Sequence, residues 1–96
     1  KGIRMAGIID PSDFPALSQK MNGKRLAFLD SGASAQKPSC VIDTVSEIMK
    51  GGYANIHRGL YPISQEITAR FEAARETVAD FINANNSNEV IFTKGA

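Results

Sequence analysis

Cys40, His57 and Arg58 carry the most reactive side-chain chemistry in this sequence, and two small-residue turns are where a ligand could meet bare backbone. The first turn follows the apolar run Leu26-Ala27-Phe28-Leu29. From Asp30 through Ala35 nothing is larger than a carboxylate, and Pro38 then suits the first position of a helix. Small side chains let an anionic group approach backbone N–H donors beside a helix start, and Gly32 is free to take a positive φ that other residues resist. The plainer reading is an ordinary strand-to-helix turn rich in Ser and Gly. The second turn is Lys94-Gly95-Ala96, which follows the strand-like Glu89-Val90-Ile91-Phe92-Thr93 as a βα phosphate-binding turn begins.

Cys40 falls near a helix start, a setting that favours a thiolate nucleophile. It has no base near it in sequence, so a small helix residue is the simpler reading. His57 and Arg58 sit between Asn55 and Gly59, which places a titratable ring, a fixed cation and a pliable residue in one loop. Read from the residues alone, that is a polar loop.

The elements that must position these groups are two helices and two short strands. Asp10-Pro11 starts a short helix with Phe14 and Leu17 one turn apart, and Asn22-Gly23 is a favourable two-residue hairpin turn between polar flanks. A helix runs from Pro38 to about Lys50, with Val41, Val45 and Ile48 at helical spacing, and Gly51-Gly52 end it. A second helix begins near Ser64 as N-cap after Pro62 and reaches about Asn83. Its stripe is Ile67, Phe71, Ala74, Val78 and Phe81, with Glu66 and Arg70 as an outward pair. Strands at Leu26–Leu29 and Glu89–Thr93 complete an α+β reading, mainly helical with short strands.

Composition narrows the function. The chain has 96 residues, 43% of them apolar, with a net charge of +1 and its Lys and Arg residues scattered. That is one soluble globular piece without the basic stripe of a nucleic-acid binder. Its apolar runs fall far short of the about 20 residues that span a bilayer. One cysteine and one histidine make neither a disulfide nor a zinc cluster, which fits a reducing, cytoplasmic setting.

Three blocks in order, DSGASAQKP, GGYANIHRGLYPIS and FINANNSNEVIFTKGA, resemble the opening of group II cysteine desulfurases and selenocysteine lyases, in the class V aminotransferase family. The resemblance runs from about Phe14 to Ala96, and residues 1–13 read as an extension. It implies an N-terminal fragment of an α/β, fold type I, pyridoxal 5'-phosphate (PLP) enzyme that takes sulfur from L-cysteine or L-selenocysteine. By the same resemblance that enzyme is a homodimer that passes sulfur to an acceptor protein for iron–sulfur cluster assembly. Gly95 and Ala96 match the start of the family's phosphate-binding motif. Ser31, Gly32 and Ala33 match the border of the substrate pocket, with Gly32 where relatives often have Ala. His57 and Arg58 match a pair near the active site and dimer interface, and Lys94 stands where Arg is common. The lysine that holds the coenzyme and the cysteine that receives sulfur lie elsewhere in the family. None of Lys20, Lys24, Lys37, Lys50 and Lys94 takes the first place, nor Cys40 the second. The 96 residues alone are therefore expected to be inactive and to bind PLP poorly. A second reading is a small interaction module that docks a protein through the apolar face of the helix over residues 64–83.

Overall fold

The computed structural model describes residues 9–94, so the readings for residues 1–8, Gly95 and Ala96 lie outside it. Two compact units divide the chain between Glu47 and Ile48.

In the first unit, proline fixes two short 3₁₀ turns, Pro11–Asp13 and Pro15–Ser18. The Asp10 carboxylate accepts from the Ser12 N–H at 2.9 Å and caps the first turn, which leaves Phe14 and Leu17 half-buried. A minimal hairpin follows. Strand β1 (Lys20–Met21) pairs antiparallel with β2 (Lys24–Arg25), with Lys20 opposite Arg25 and Met21 opposite Lys24. Asn22 at φ 52° and Gly23 at φ 76° both adopt left-handed backbone, as a type I′ turn requires, and these two residue types tolerate it best. The Asn-Gly signal outweighed its polar flanks.

Beyond the hairpin, the apolar run at Leu26–Leu29 is irregular chain and not a strand. The Leu26 N–H reaches Gln19 O at 3.2 Å, and the run has no further ladder among the described residues. Leu29 is 93% exposed. Apolar content alone makes no strand; a partner must supply the hydrogen bonds.

Helix α1 spans Ser39–Glu47. Pro38 precedes it as the cap and not as its first residue: its carbonyl accepts from the Val41 and Ile42 N–H groups at 3.0 and 3.2 Å. The helical path does not stop before the glycines. It widens into a π-helical turn over Ile48–Gly52, at the two poorest helix formers after proline.

The second unit is built on helix α2, Pro62–Phe81. Pro62 occupies the first helical position and Tyr61 is the N-cap, so Ser64 lies inside the first turn and not at the cap. Ser64 is instead fully buried, and its hydroxyl donates to Asn55 O at 2.5 Å. The C-terminus closes as a Schellman motif: the Ala84 N–H bonds Ala79 O at 2.9 Å and the Asn83 N–H bonds Asp80 O at 3.2 Å, with Asn83 left-handed at φ 56°. The buried side of α2 is rotated from the expected stripe. Ala79 is buried, Ile67, Phe71 and Val78 are half-buried, and Phe81 is 90% exposed.

After α2, the Asn86 side chain accepts from the Asn88 N–H and starts a 3₁₀ turn, Ser87–Glu89. Val90 is buried, and Ile91–Thr93 continue extended without the predicted strand pairing. As at Leu26–Leu29, the described residues hold no strand beside this segment.

Candidate functional site

The loop between Tyr53 and Tyr61 is folded down onto α2 by three successive turns of that helix. Ser64 holds Asn55 O, the Thr68 hydroxyl accepts from the His57 N–H at 3.0 Å, and the His57 Nε2 lies 3.3 Å from Glu72 Oε1. The spacing of four between Ser64, Thr68 and Glu72 puts all three on one face. Thr68 also donates to Ser64 O at 2.7 Å, which orients its lone pairs toward the loop.

His57 takes φ 65°, a left-handed conformation that few residues with a side chain accept. The loop meets that cost through fixed contacts. The imidazole also stands edge-on to Phe71, with ring centroids 5.6 Å apart and planes at 89°. Gly59 completes the fold for a different reason. A Cβ built there would run into the Ser64 Oγ and Cβ, so the close approach of loop to helix requires glycine.

Glu72 is shared. Its Oε2 accepts from Arg75 at 2.8 Å while Oε1, facing His57, has no hydrogen bond of good geometry among the described residues. The Arg75 guanidinium then donates to Ser87 O at 2.7 Å and to Val90 O at 3.1 Å. Arg58, next to this network, is exposed. Lys94 is exposed as well, at the last described position.

In the first unit, the Asp30–Ala35 turn is wound on itself. Asp30 O accepts from both the Ala33 and Ser34 N–H groups at 3.1 Å, so two of the donors expected to greet an anion are already engaged. Gly32 does not take a positive φ. Of Ser31, Gly32 and Ala33, only Ser31 lines the neighbouring open cleft of about 260 Å³, with Phe14, Leu17, Phe28, Ala35 and Gln36. Lys37 donates to Ala35 O at 2.6 Å, and Cys40 is an exposed free thiol. Among the described residues no group of His, Cys, Asp and Glu could hold a metal ion, and no helix is long and apolar enough to cross a membrane.

Comparison with known proteins decides the family. The model of the class-V aminotransferases matches residues 27–96. This chain belongs to the class-V aminotransferase family. Within it, the chain is 50% identical over 84 residues to a cysteine desulfurase of Klebsiella pneumoniae (strain 342), 52% to that of Serratia proteamaculans (strain 568) and 50% to that of Yersinia pestis (strain Pestoides F). Each match covers 88% of this chain and 21% of the relative, so the chain spans about a fifth of the length of the curated relatives it matches.

Class-V aminotransferases generally use PLP, and the described residues include no cluster of charged side chains at the small-residue turn that would hold its phosphate. Two N–H donors of the small-residue turn, those of Ala33 and Ser34, are bound to Asp30 O, and the cleft beside it has a mainly apolar lining. Gly95 and Ala96, the residues matched to the phosphate motif, lie outside the described residues.

Sequence reasoning missed Ser64, Thr68, Glu72 and Arg75 as the loop's fastenings. Arg75 follows Phe71 and precedes Ala79 by one turn each, so a charge on the half-buried face was its available signal. Glu72 lies 15 residues from His57, and no local pattern joins them.

Proposed function

We propose that this chain is the leading portion of a PLP-dependent cysteine desulfurase, which converts L-cysteine to L-alanine and leaves the sulfur as an enzyme persulfide. Its identity with three proteins named cysteine desulfurase, at 50–52% over 84 residues, carries the reading. L-selenocysteine is the alternative substrate of the same chemistry. The parent works as a cytoplasmic homodimer and delivers sulfur to an acceptor protein for iron–sulfur cluster assembly.

In that enzyme Ser31, Gly32 and Ala33 border the substrate pocket, with the Ser31 hydroxyl at an apolar cleft suited to a small side chain. His57 and Arg58 belong to the active-site and interface neighbourhood: the histidine is fastened to α2, and the arginine is exposed beside it. Lys94 serves the same neighbourhood, and Gly95 and Ala96 begin the PLP phosphate turn. The lysine that holds PLP and the cysteine that receives sulfur belong to the parent beyond the matched fifth.

The test is to supply PLP, L-cysteine and a dithiol reductant that releases the persulfide sulfur as sulfide to the whole protein and to the 96-residue chain, and to measure alanine and sulfide. The whole protein is expected to form both and the chain neither. Catalytic alanine from the chain alone overturns the assignment of the chemistry to residues elsewhere.

The second reading, a module that docks a partner through the apolar face of the helix over residues 64–83, finds support in the exposed Phe81. Phe71, on the same face, already meets His57 and Phe92 within the unit, so less of that face is open. The enzyme reading ranks first.

A further inference from the structure

Two loops of the second unit converge on neighbouring residues of α2. The polar route runs from Val90 O and Ser87 O through the Arg75 guanidinium to Glu72 Oε2, and from Glu72 Oε1 to the His57 imidazole. A second route is aromatic. Phe71 stands edge-on to His57 on one side and to Phe92 on the other, with ring centroids 5.6 and 5.4 Å apart and planes near perpendicular in both cases. Phe71 therefore touches both the loop that carries His57 and the segment that leads to Lys94, whereas Glu72 touches only the loop, Arg75 only the segment, and the two are joined to each other.

The chemistry of each link suits a fixed geometry. Arginine's planar fork takes two backbone carbonyls and a carboxylate at once, which a lysine cannot match. Ser87 O also accepts from the Val90 N–H at 3.0 Å, so Arg75 adds a second donor there and ties the end of the 3₁₀ turn to α2. A carboxylate with one oxygen committed to Arg75 has little freedom left for the other, which lies 3.3 Å from the His57 Nε2. Perpendicular ring pairs on both sides of Phe71 resist sliding better than aliphatic contacts do.

We infer that Phe71, Glu72 and Arg75 are positioning residues that lock the His57–Arg58 loop and the Ser87–Phe92 segment into one rigid brace. Glu72 and Arg75 act on residues they do not touch. The inference takes the importance of His57 and Arg58 from the desulfurase reading, but the brace itself stands on the contacts.

The test uses selectively labelled amide NMR spectra and hydrogen exchange of the whole protein that contains this chain. Glu72→Gln removes the charge and keeps the shape, and it is expected to shift the Ser87, Val90 and Ile91 amides as well as that of His57. Arg75→Gln is expected to shift the His57 and Arg58 amides, which it does not contact, and to speed exchange at the His57 N–H about fivefold. Arg75→Lys is expected to restore the charge and not the coupling. If Arg75→Gln lowers the helix content seen by circular dichroism, Glu72→Gln and Arg75→Lys decide the matter alone. Shifts confined to each substitution's own side, with helix content unchanged, overturn the brace. Because no turnover is read, that result leaves the desulfurase reading standing, whereas a whole protein unable to release sulfur removes that reading alone.

Discussion

At the scale of single residues, two glycines of the candidate site carry opposite constraints. Gly59 has Ser64 against it, while a Cβ on Gly32 would meet nothing within 4 Å and its backbone is not left-handed. Gly59→Ala should therefore cost about 1–3 kcal/mol, by the overpacking rule. Ser64→Ala in the same chain should not rescue it, since the clash includes the Ser64 Cβ. Gly32→Ala should instead stabilise by about 0.4–1 kcal/mol, because it restricts the unfolded chain and strains nothing. Urea unfolding followed by circular dichroism separates the pair. Asp10 makes a pH prediction. Hydrogen bonds from Ser12, the backbone one foremost, lower its carboxyl below the ordinary 3.8. A lowered carboxylate contributes above its unfolded value and loses that contribution as pH falls through the folded one. The Pro11–Asp13 turn should hold at neutral pH and loosen below pH 3.8, seen as a shift of the Ser12 amide. Ser12→Ala keeps the larger contribution, so most of the lowering should survive.

Among elements, the clearest local signals were the ones that held. Asn22-Gly23 gave its hairpin, because turn chemistry acts on the residues that carry it, whereas the start of α2 fell at Pro62 and not after a Ser64 cap. The C-terminal motif of α2 gives the prediction at this scale. Asn83 holds φ 56°, so Asn83→Gly should raise stability by about 0.5 kcal/mol and Asn83→Val should lower it by about 1–2 kcal/mol. Thermal unfolding of the two variants in parallel checks the order. What the sequence could not reveal was non-local. Leu26–Leu29 and Glu89–Thr93 look like strands by content, yet pairing depends on chain that must lie alongside. The demotion of Ser64 from cap to buried donor, and the link from Glu72 to His57, likewise rest on the loop folding back over α2. Of the candidate site, the His57–Arg58 loop was singled out by resemblance, and its fastening to α2 had no local signal.

For the whole molecule, the exposed apolar residues matter more than the few buried ones. Leu29, Leu60 and Phe81 are each at least 90% exposed, while Ala79 and Val90 are the buried apolar residues among those described. Exposed apolar surface of that kind is covered in stable proteins or drives association. Coverage of about a fifth of the relatives' length gives the cover a natural source in the proposed parent. The chain by itself should then self-associate as concentration rises, measured by sedimentation, and a monomer across the range would count against that view.

Arg75 grips Val90 O, and the three residues after it have their main-chain donors and acceptors uncommitted among the described residues. Ile91 and Phe92 flank that ribbon, 79% and 47% exposed. Such a ribbon is a template for cross-strand growth, and the isolated chain should seed thioflavin-positive fibrils from it. Ile91→Lys, a gatekeeper charge on the outer side, should suppress the fibrils and leave the α2 signal intact.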